Sequence, residues 1–446
     1  MGVPGLLVFA LVQDRAQRAH SVTQEVSDLR GGAQQLLGPI IAAPYVTVDD
    51  QGRTKGGGWW VVSPQSGTVA VAVRSASLHR GIFDVPVFDA TADIGATFGP
   101  LQKTGPPPGV RVDWDQARIV IGFTDLRGAK SDIRGTFTDA AGRSVLEFTP
   151  ASFINLAGPV DPAVDQKTGG LGSFGLVASP ANSVTASRAG GTFVAQVRFT
   201  GAQRLSVMPF AKSTKVTVVG DWPSPSFDGG FLPDTRLVAA HRFTADWVVP
   251  FVARGLSDQG ASNTLSLAEL AKRDVGVTFA RANNPYENVG RSLKYGIMFV
   301  GLVFLTFFVF EALSGHRLHP AQYLLVGLAQ MVFYLLLLSL SEYVGFDVGF
   351  AVAGCATVGL IGLYAGWAFK SIRYRARALV IFSILYVLIY CLMRLEDFAL
   401  LVGSLASFIG LAASMYLTRN LEWYGGKLAP DGRATPAPGP PANSAP

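Results

Sequence analysis

Residues 293–340 read LKYGIMFVGLVFLTFFVFEALSGHRLHPAQYLLVGLAQMVFYLLLLSL, two apolar runs around a polar hinge, SGHRLHP. Each run is about 20 residues, the helix length that crosses a bilayer core with its backbone hydrogen bonds satisfied internally. The stretch therefore predicts a transmembrane hairpin. Its hinge carries His316, Arg317, His319 and the helix-breaking Pro320. A carboxylate, Glu311, sits inside the end of the first run, and Glu342 closes the second.

Downstream the apolar pattern continues. Spans are predicted near Leu293–Leu313, Gln322–Leu340, Phe346–Phe369, Ala378–Met393 and Phe398–Leu417. The fourth is short, at roughly 16 residues, so Arg377 and Arg394 are expected to snorkel to the two interfaces. The chain as a whole has 446 residues, 49% hydrophobic and 15% charged, with a mean hydropathy of +0.33. That is too apolar for an ordinary soluble enzyme. Much of the formal charge of +6 lies in loops beside the spans, so it reports topology and not a nucleic-acid partner. Arg317, the KSIRYRAR segment (370–377) and the C-terminal segment are basic, whereas SEYVGFD (341–347) and RLED (394–397) hold most of the acids. The positive-inside rule then places the hinge, KSIRYRAR and the C-terminus in the cytoplasm, and the large domain before the spans outside it. Cys355 and Cys391 both fall in apolar runs and are expected to be buried and inert.

Upstream the pattern differs. MGVPGLLVFALV is apolar but only about a dozen residues long, too short to cross a bilayer, and is read as the trailing half of a first span. The next segment has helical character and is expected to stop at Gly38-Pro39. From there to about Phe279, PIIAAPYVTV, GTVAVAVR, ARIVIGFTD, GTFVAQVRF and STKVTVVGDW alternate apolar with polar residues or are rich in Val, Ile and Thr. Gly, Pro, Asn and Asp clusters separate them, which argues for strands. ASNTLSLAELAKRD suggests one short helix before a last strand, VGVTFA. The fold class expected is a mixed membrane protein: an antiparallel β-rich, sandwich-like domain joined to an α-helical transmembrane bundle. The boundaries expected are a span remnant at 1–12, the β-rich domain at 13–291, five membrane helices at 292–418 and a disordered Pro/Ala-rich tail at 419–446.

Few constellations suggest chemistry. Gly170 to Gly175 match GxGxxG, but with no strand before and no helix after they read as a Gly-rich loop. His316 and His319 with Glu311 offer three metal ligands, yet they lie in a short loop ending at Pro320 and lack a clear fourth, so no metal or cofactor is expected. His20, His79 and His241 are isolated, and no HExxH, GxSxG or Walker sequence occurs. No catalytic residues are therefore assigned. Glu311 and Glu342 are ionisable groups at the membrane boundary, which makes them functional candidates and leaves an ion- or proton-coupled transporter as an alternative. Tyr343, Tyr374, Trp423 and Tyr424 read as an interfacial belt. The DWPSPSFDGGFLP loop reads first as well-packed turns and second as a contact surface.

These residues carry a resemblance. Phe308 to Glu311, Arg317-Leu-His319-Pro320-x-Gln322-Tyr323, Phe333-Tyr334 with the leucines after it, and Ser341-Glu342 resemble the CreD family of bacterial inner-membrane proteins. So do Leu37-Gly38-Pro39, Asp221-Trp222-Pro223-x-Pro225-Ser226-Phe227, Phe231-Leu232-Pro233, Tyr286 with Arg291, Lys294 and Tyr295, and Thr418-Arg419-Asn420-x-x-Trp423-Tyr424. The resemblance implies a multi-pass protein of the bacterial inner membrane with one periplasmic domain. It also implies a role in envelope integrity, a link to a two-component regulatory system and to colicin tolerance, and no established catalytic residue. The expected partners are the lipid bilayer and envelope or periplasmic proteins. Glu311, Arg317, His319, Pro320, Gln322, Tyr323 and Glu342 stand as the candidate functional residues.

Overall fold

In GTVAVAVR every second residue is buried: Gly67, Val69, Val71 and Val73 face inward, while Thr68, Ala70, Ala72 and Arg74 face solvent. That two-residue period is a half-buried strand, and most of the chain between 34 and 279 follows it. The computed structural model describes residues 2–101, 106–154, 156, 174–181, 190–262, 267–279, 289–290, 296–314, 317–395 and 398–420. Two units divide the chain, one formed by Asp14–Asn284 and the other by Met1–Gln13 with Pro285–Pro446.

Eighteen strands occur among the described residues. In chain order they begin with β1 (Gln34–Val48), β2 (Thr54–Val62), β3 (Ser66–Arg80), β4 (Phe83–Phe98), β5 (Val110–Val112) and β6 (Arg118–Phe123). They continue with β7 (Arg134–Asp139), β8 (Gly142–Glu147), β9 (Thr149–Pro150), β10 (Gly175–Ala178), β11 (Gly191–Ala202) and β12 (Arg204–Val207). The last are β13 (Ser213–Gly220), β14 (Pro225–Gly229), β15 (Thr235–Ala239), β16 (Arg242–Val249), β17 (Gln259–Ala261) and β18 (Val275–Phe279). A ten-stranded sheet runs β14-β18-β12-β1-β6-β10-β9, with β2 and β5 paired to β1 and β17 paired to β2. An eight-stranded sheet runs β15-β16-β13-β3-β4-β11-β7-β8. The ladders are antiparallel apart from β1 with β12 and β3 with β13. Both sheets feed one core, in which Ile40, Ile119 and Val277 from the first meet Val71, Ile94 and Val197 from the second. The β-rich, sandwich-like expectation holds.

The β3–β4 hairpin is the longest ladder, running from Ser66 opposite Thr97 to Arg80 opposite Phe83. Gly81 closes it at φ +63°, the backbone region that a two-residue turn of this twist requires. A four-way polar clamp ties the other sheet. Arg204 donates through Nε to Asp228 (2.8 Å) and through Nη1 and Nη2 to Asp274 (2.8 and 3.0 Å), and Gln35 also donates to Asp274 (2.7 Å).

One expectation is corrected here. The first helix, α1 (Gly2–Asp28), is continuous from the apolar N-terminal stretch into the polar segment after it, and it ends well before Gly38-Pro39. Those two residues lie inside β1, at a register shift against β6 between Leu37 and Ile40. A bulge tolerates a proline without an N–H, and a Cβ at Gly38 would stand 2.3 Å from the Phe210 ring, so both breakers serve close packing. DWPSPSFDGGFLP is packed as expected: Trp222, Phe227 and Phe231 lie against the core, and Trp247 Nε1 donates to the Phe231 carbonyl (3.2 Å). Of the glycine-rich motif, Gly170 to Ser173 lie outside the described residues, and Gly175 opens β10.

Two short helices, α2 (Phe251–Arg254) and α3 (Leu267–Lys272), complete the β unit. The membrane unit holds α4 (Gly296–Ser314), α5 (Pro320–Val344), α6 (Phe346–Ala368), α7 (Ile372–Arg394) and α8 (Ala399–Thr418). Four of these, α5 to α8, are long and apolar enough to cross a membrane, and α4 has a shorter apolar stretch, Met298–Ser314. The fourth predicted span is corrected: α7 has 23 residues and begins at Ile372, so Arg373, Arg375 and Arg377 are helical and not in a loop. Arginine is a good helix former, so a basic first turn does not end the apolar helix behind it. Cys355 and Cys391 are not buried as expected but exposed on the outer faces of α6 and α7, whose interior faces are formed by other residues such as Gly354 and Thr357 on α6 and Phe382 and Tyr386 on α7. Tyr374 is half-buried against Phe310 and Phe369, and Tyr343 is exposed; Trp423 and Tyr424 lie outside the described residues.

Candidate functional site: the clasped turn and the polar node of the bundle

Pro320 begins α5 at a position where a missing N–H costs nothing, and His319 before it adopts the extended backbone of a helix cap. The Ala321 N–H donates to His319 Nδ1 (3.2 Å), and the His319 N–H donates to the Gln322 side-chain oxygen (2.9 Å). This is a reciprocal capping box with histidine in the place usually held by serine or threonine. From the other side of the turn, Glu311 in the last turn of α4 reaches across. Its Oε1 accepts from the Leu318 N–H (3.1 Å) and its Oε2 from the Tyr323 hydroxyl (2.7 Å). The Tyr323 ring stands edge-on to Phe304 and Phe307 of α4, with centroids 6.2 and 6.4 Å away.

Five of the seven candidates thus meet in one turn: Glu311, His319, Pro320, Gln322 and Tyr323. Arg317 is exposed beside them and makes no hydrogen bond or ion pair with the described residues. Glu342 is half-buried in the last turn of α5, about 30 Å of helix from Gln322. The two carboxylates therefore belong to opposite ends of the hairpin. His316 lies outside the described residues, and among those described no group of three His, Cys, Asp or Glu side chains is placed to hold a metal. Both Glu311 oxygens and His319 Nδ1 are committed to hydrogen bonds within the turn. What the arrangement does is fix the angle at which α4 enters α5.

A second polar site was not legible from the sequence. Gln330 of α5, Thr357 of α6 and Tyr386 of α7 are buried halfway along their helices, with Tyr334 one turn beyond Gln330. The Tyr386 hydroxyl donates to Gln330 Oε1 (3.1 Å), while Gln330 Nε2 is buried without a hydrogen-bond partner among the described residues. Phe299, Phe333 and Phe350 pack around the Tyr386 ring. At the end of α7, Tyr390 and Arg394 continue the same helical face. Both bond Asp347 in the first turn of α6, Tyr390 at 3.0 Å, and the Arg394 guanidinium lies 5.7 Å from the Tyr390 ring. The spacing Tyr386, Tyr390, Arg394 is a signal a sequence reading can find, because residues four apart share a helix face.

The family model described as inner membrane protein CreD matches residues 1–424. The inner membrane protein CreD of Escherichia coli (strain K12) is 29% identical over 437 residues, covering 95% of this chain and 90% of that protein. The match runs through the β unit, the clasped turn and the helices of the bundle alike, and the chain belongs to the CreD family of inner membrane proteins.

Proposed function

We propose that this membrane protein maintains the integrity of the cell envelope without catalysing a reaction, acting through its β unit on the periplasmic side. The observation that carries this reading is the clasped turn. Part of the family resemblance in the membrane unit, Glu311, His319, Gln322 and Tyr323, closes on itself there through side-chain hydrogen bonds. A link to a two-component regulatory system and to colicin tolerance belongs to the same proposal, on family grounds. A transporter built on Glu311 and Glu342 draws no support from the geometry, because the first is spent within the turn and the second lies at the far end of α5.

The proposed orientation rests on charge. Arg317, Lys370, Arg373, Arg375 and Arg377 gather where α5 begins, α6 ends and α7 begins, and the opposite helix ends carry Asp347 and Arg394 as a pair. Deletion of the gene is expected to raise sensitivity to detergents and envelope-directed antibiotics, with rescue by the intact gene. Unchanged sensitivity across that panel overturns the reading. A phosphatase-type reporter fused after Arg281 is expected to be active, and one fused within KSIRYRAR inactive; the reverse overturns the orientation alone.

A further inference from the structure

The solvent face of the eight-stranded sheet is hollow. Two grooves, of about 670 and 1070 Å³, lie on it end to end: the second is lined on β13, β3, β4 and β11 by residues that follow or precede the first by two to four positions. The floor is small, with Ala70 and Ala72 on β3 and Thr91 and Gly95 on β4, and the carboxylate of Asp93 stands between the last two. The rims are long and basic. Lys215 and Arg242 stand on one side, about 20 Å apart along the strand direction, and Arg198 and Lys130 stand across the floor from them. Arg74, Lys130, Arg198, Lys215 and Arg242 have no ion-pair partner among the described residues. Of the acids on this face, Asp93 accepts from Gln196 (2.8 Å), Asp221 accepts from the backbone and hydroxyl of Ser75 (2.8 and 2.6 Å), Asp246 accepts from the Thr217 and Thr235 hydroxyls (2.7 and 3.0 Å), and Asp89 lies 4.0 Å from Arg30. Arg134, at the edge of the trough, is paired with Glu147 (3.3 Å). The neutral donors leave the carboxylates charged, so the lining of the two grooves sets Arg74, Lys130, Arg134, Arg198, Lys215 and Arg242 against Asp89, Asp93 and Asp221, an excess of cations.

We propose that this trough binds an anionic saccharide chain. An extended peptide docks on a sheet by adding to an edge, through main-chain hydrogen bonds. Here β13, β3, β4 and β11 are each paired on both sides, so their main-chain groups are already used in the ladder. Recognition is left to side chains that stand off the sheet: threonine hydroxyls on the floor and guanidinium forks and ammonium groups on the rims. That combination fits a ligand bearing hydroxyls throughout and carboxylate or sulfate-like charges at intervals.

The test uses the full chain in nanodiscs of neutral phosphatidylcholine, titrated calorimetrically with a sulfated heparin octasaccharide and with octagalacturonate. Maltooctaose and octaglutamate serve as the neutral and peptide comparisons. At least one anionic saccharide is expected to bind, with an affinity that falls as salt rises. The double variant Arg198→Gln/Arg242→Gln is expected to weaken binding at least tenfold, and Ala70→Trp, which fills the floor from an exposed position, to abolish it. Lys272→Gln, on α3, is expected to leave binding unchanged. Binding of only one of the two saccharides supports the proposal and fixes the charged group. Failure of both to bind, affinity indifferent to both trough variants, or octaglutamate binding as tightly as the sugars overturns it.

Discussion

The Tyr323 hydroxyl donates to the Glu311 carboxylate at 2.7 Å, joining the first turn of α5 to the last turn of α4. A hydrogen bond to a charged acceptor contributes about 1.5–3 kcal/mol, and a carboxylate left with one donor loses part of that. Tyr323→Phe keeps the ring against Phe304 and Phe307 and removes only the donor. It is expected to lower the thermal midpoint of the purified full chain in detergent, and Glu311→Gln to lower it less than Glu311→Ala. A Tyr323→Phe midpoint equal to that of the unaltered protein would show that the contact does not hold the turn.

Much of this turn was legible in the sequence. An ionisable Glu311 within an apolar run and Pro320 after a polar hinge are local signals, and hydropathy finds the helices that follow. The partnership of Glu311 with Tyr323 is not local, since it depends on how the turn closes. Gly38-Pro39 misled for a related reason: the pair breaks helices in isolation but is accommodated in β1 by the bulge and by the Phe210 ring over Gly38. The start of α7 lies six residues before its apolar run, because Arg373, Arg375 and Arg377 lower local hydropathy without ending the helix. Gln330 carries no signal in the sequence, because one amide in an apolar run has no meaning until neighbouring helices bury it.

The cap of α5 makes a graded prediction. His319→Ala removes the acceptor for the Ala321 N–H and is expected to cost about 1 kcal/mol, whereas His319→Asn, a preferred cap, should restore most of it. Gln322→Ala removes the reciprocal bond to the His319 N–H and should fall between them. Thermal midpoints of the three variants check the order, and equal midpoints for the Ala and Asn variants at position 319 would rule out capping by this side chain.

In the β unit, Arg254 is 1% exposed and makes one side-chain hydrogen bond, from Nη2 to the Ser63 hydroxyl (2.8 Å). Its Nε and Nη1 are buried without a partner among the described residues, and burial pushes the guanidinium down to about 10. Because the folded value lies below the unfolded one, the charged group opposes folding; that penalty is full below about pH 10 and fades above it. Arg254→Met, similar in length and uncharged, is expected to stabilise the β unit at neutral pH by about 1–3 kcal/mol. Calorimetry decides this, and a lower midpoint would mean that the charge is compensated in the folded protein.

The Gln330–Tyr386 bond predicts a sign that simple contact loss does not. Tyr386→Phe strips Gln330 of its one described side-chain hydrogen bond while leaving the amide wholly buried, so an unpaired polar group remains in the bundle interior. Gln330→Leu removes the amide altogether and leaves a hydroxyl on Tyr386. When both partners go, nothing polar is left over from the pair. Interhelical bonds of this kind contribute about 0.6 kcal/mol on average in membranes, and the coupling is expected to be of that order. The double variant Gln330→Leu/Tyr386→Phe should therefore be more stable than Tyr386→Phe alone. A double-mutant cycle read from reversible unfolding in mixed micelles measures it, and strictly additive losses would show that the two side chains do not act as a pair.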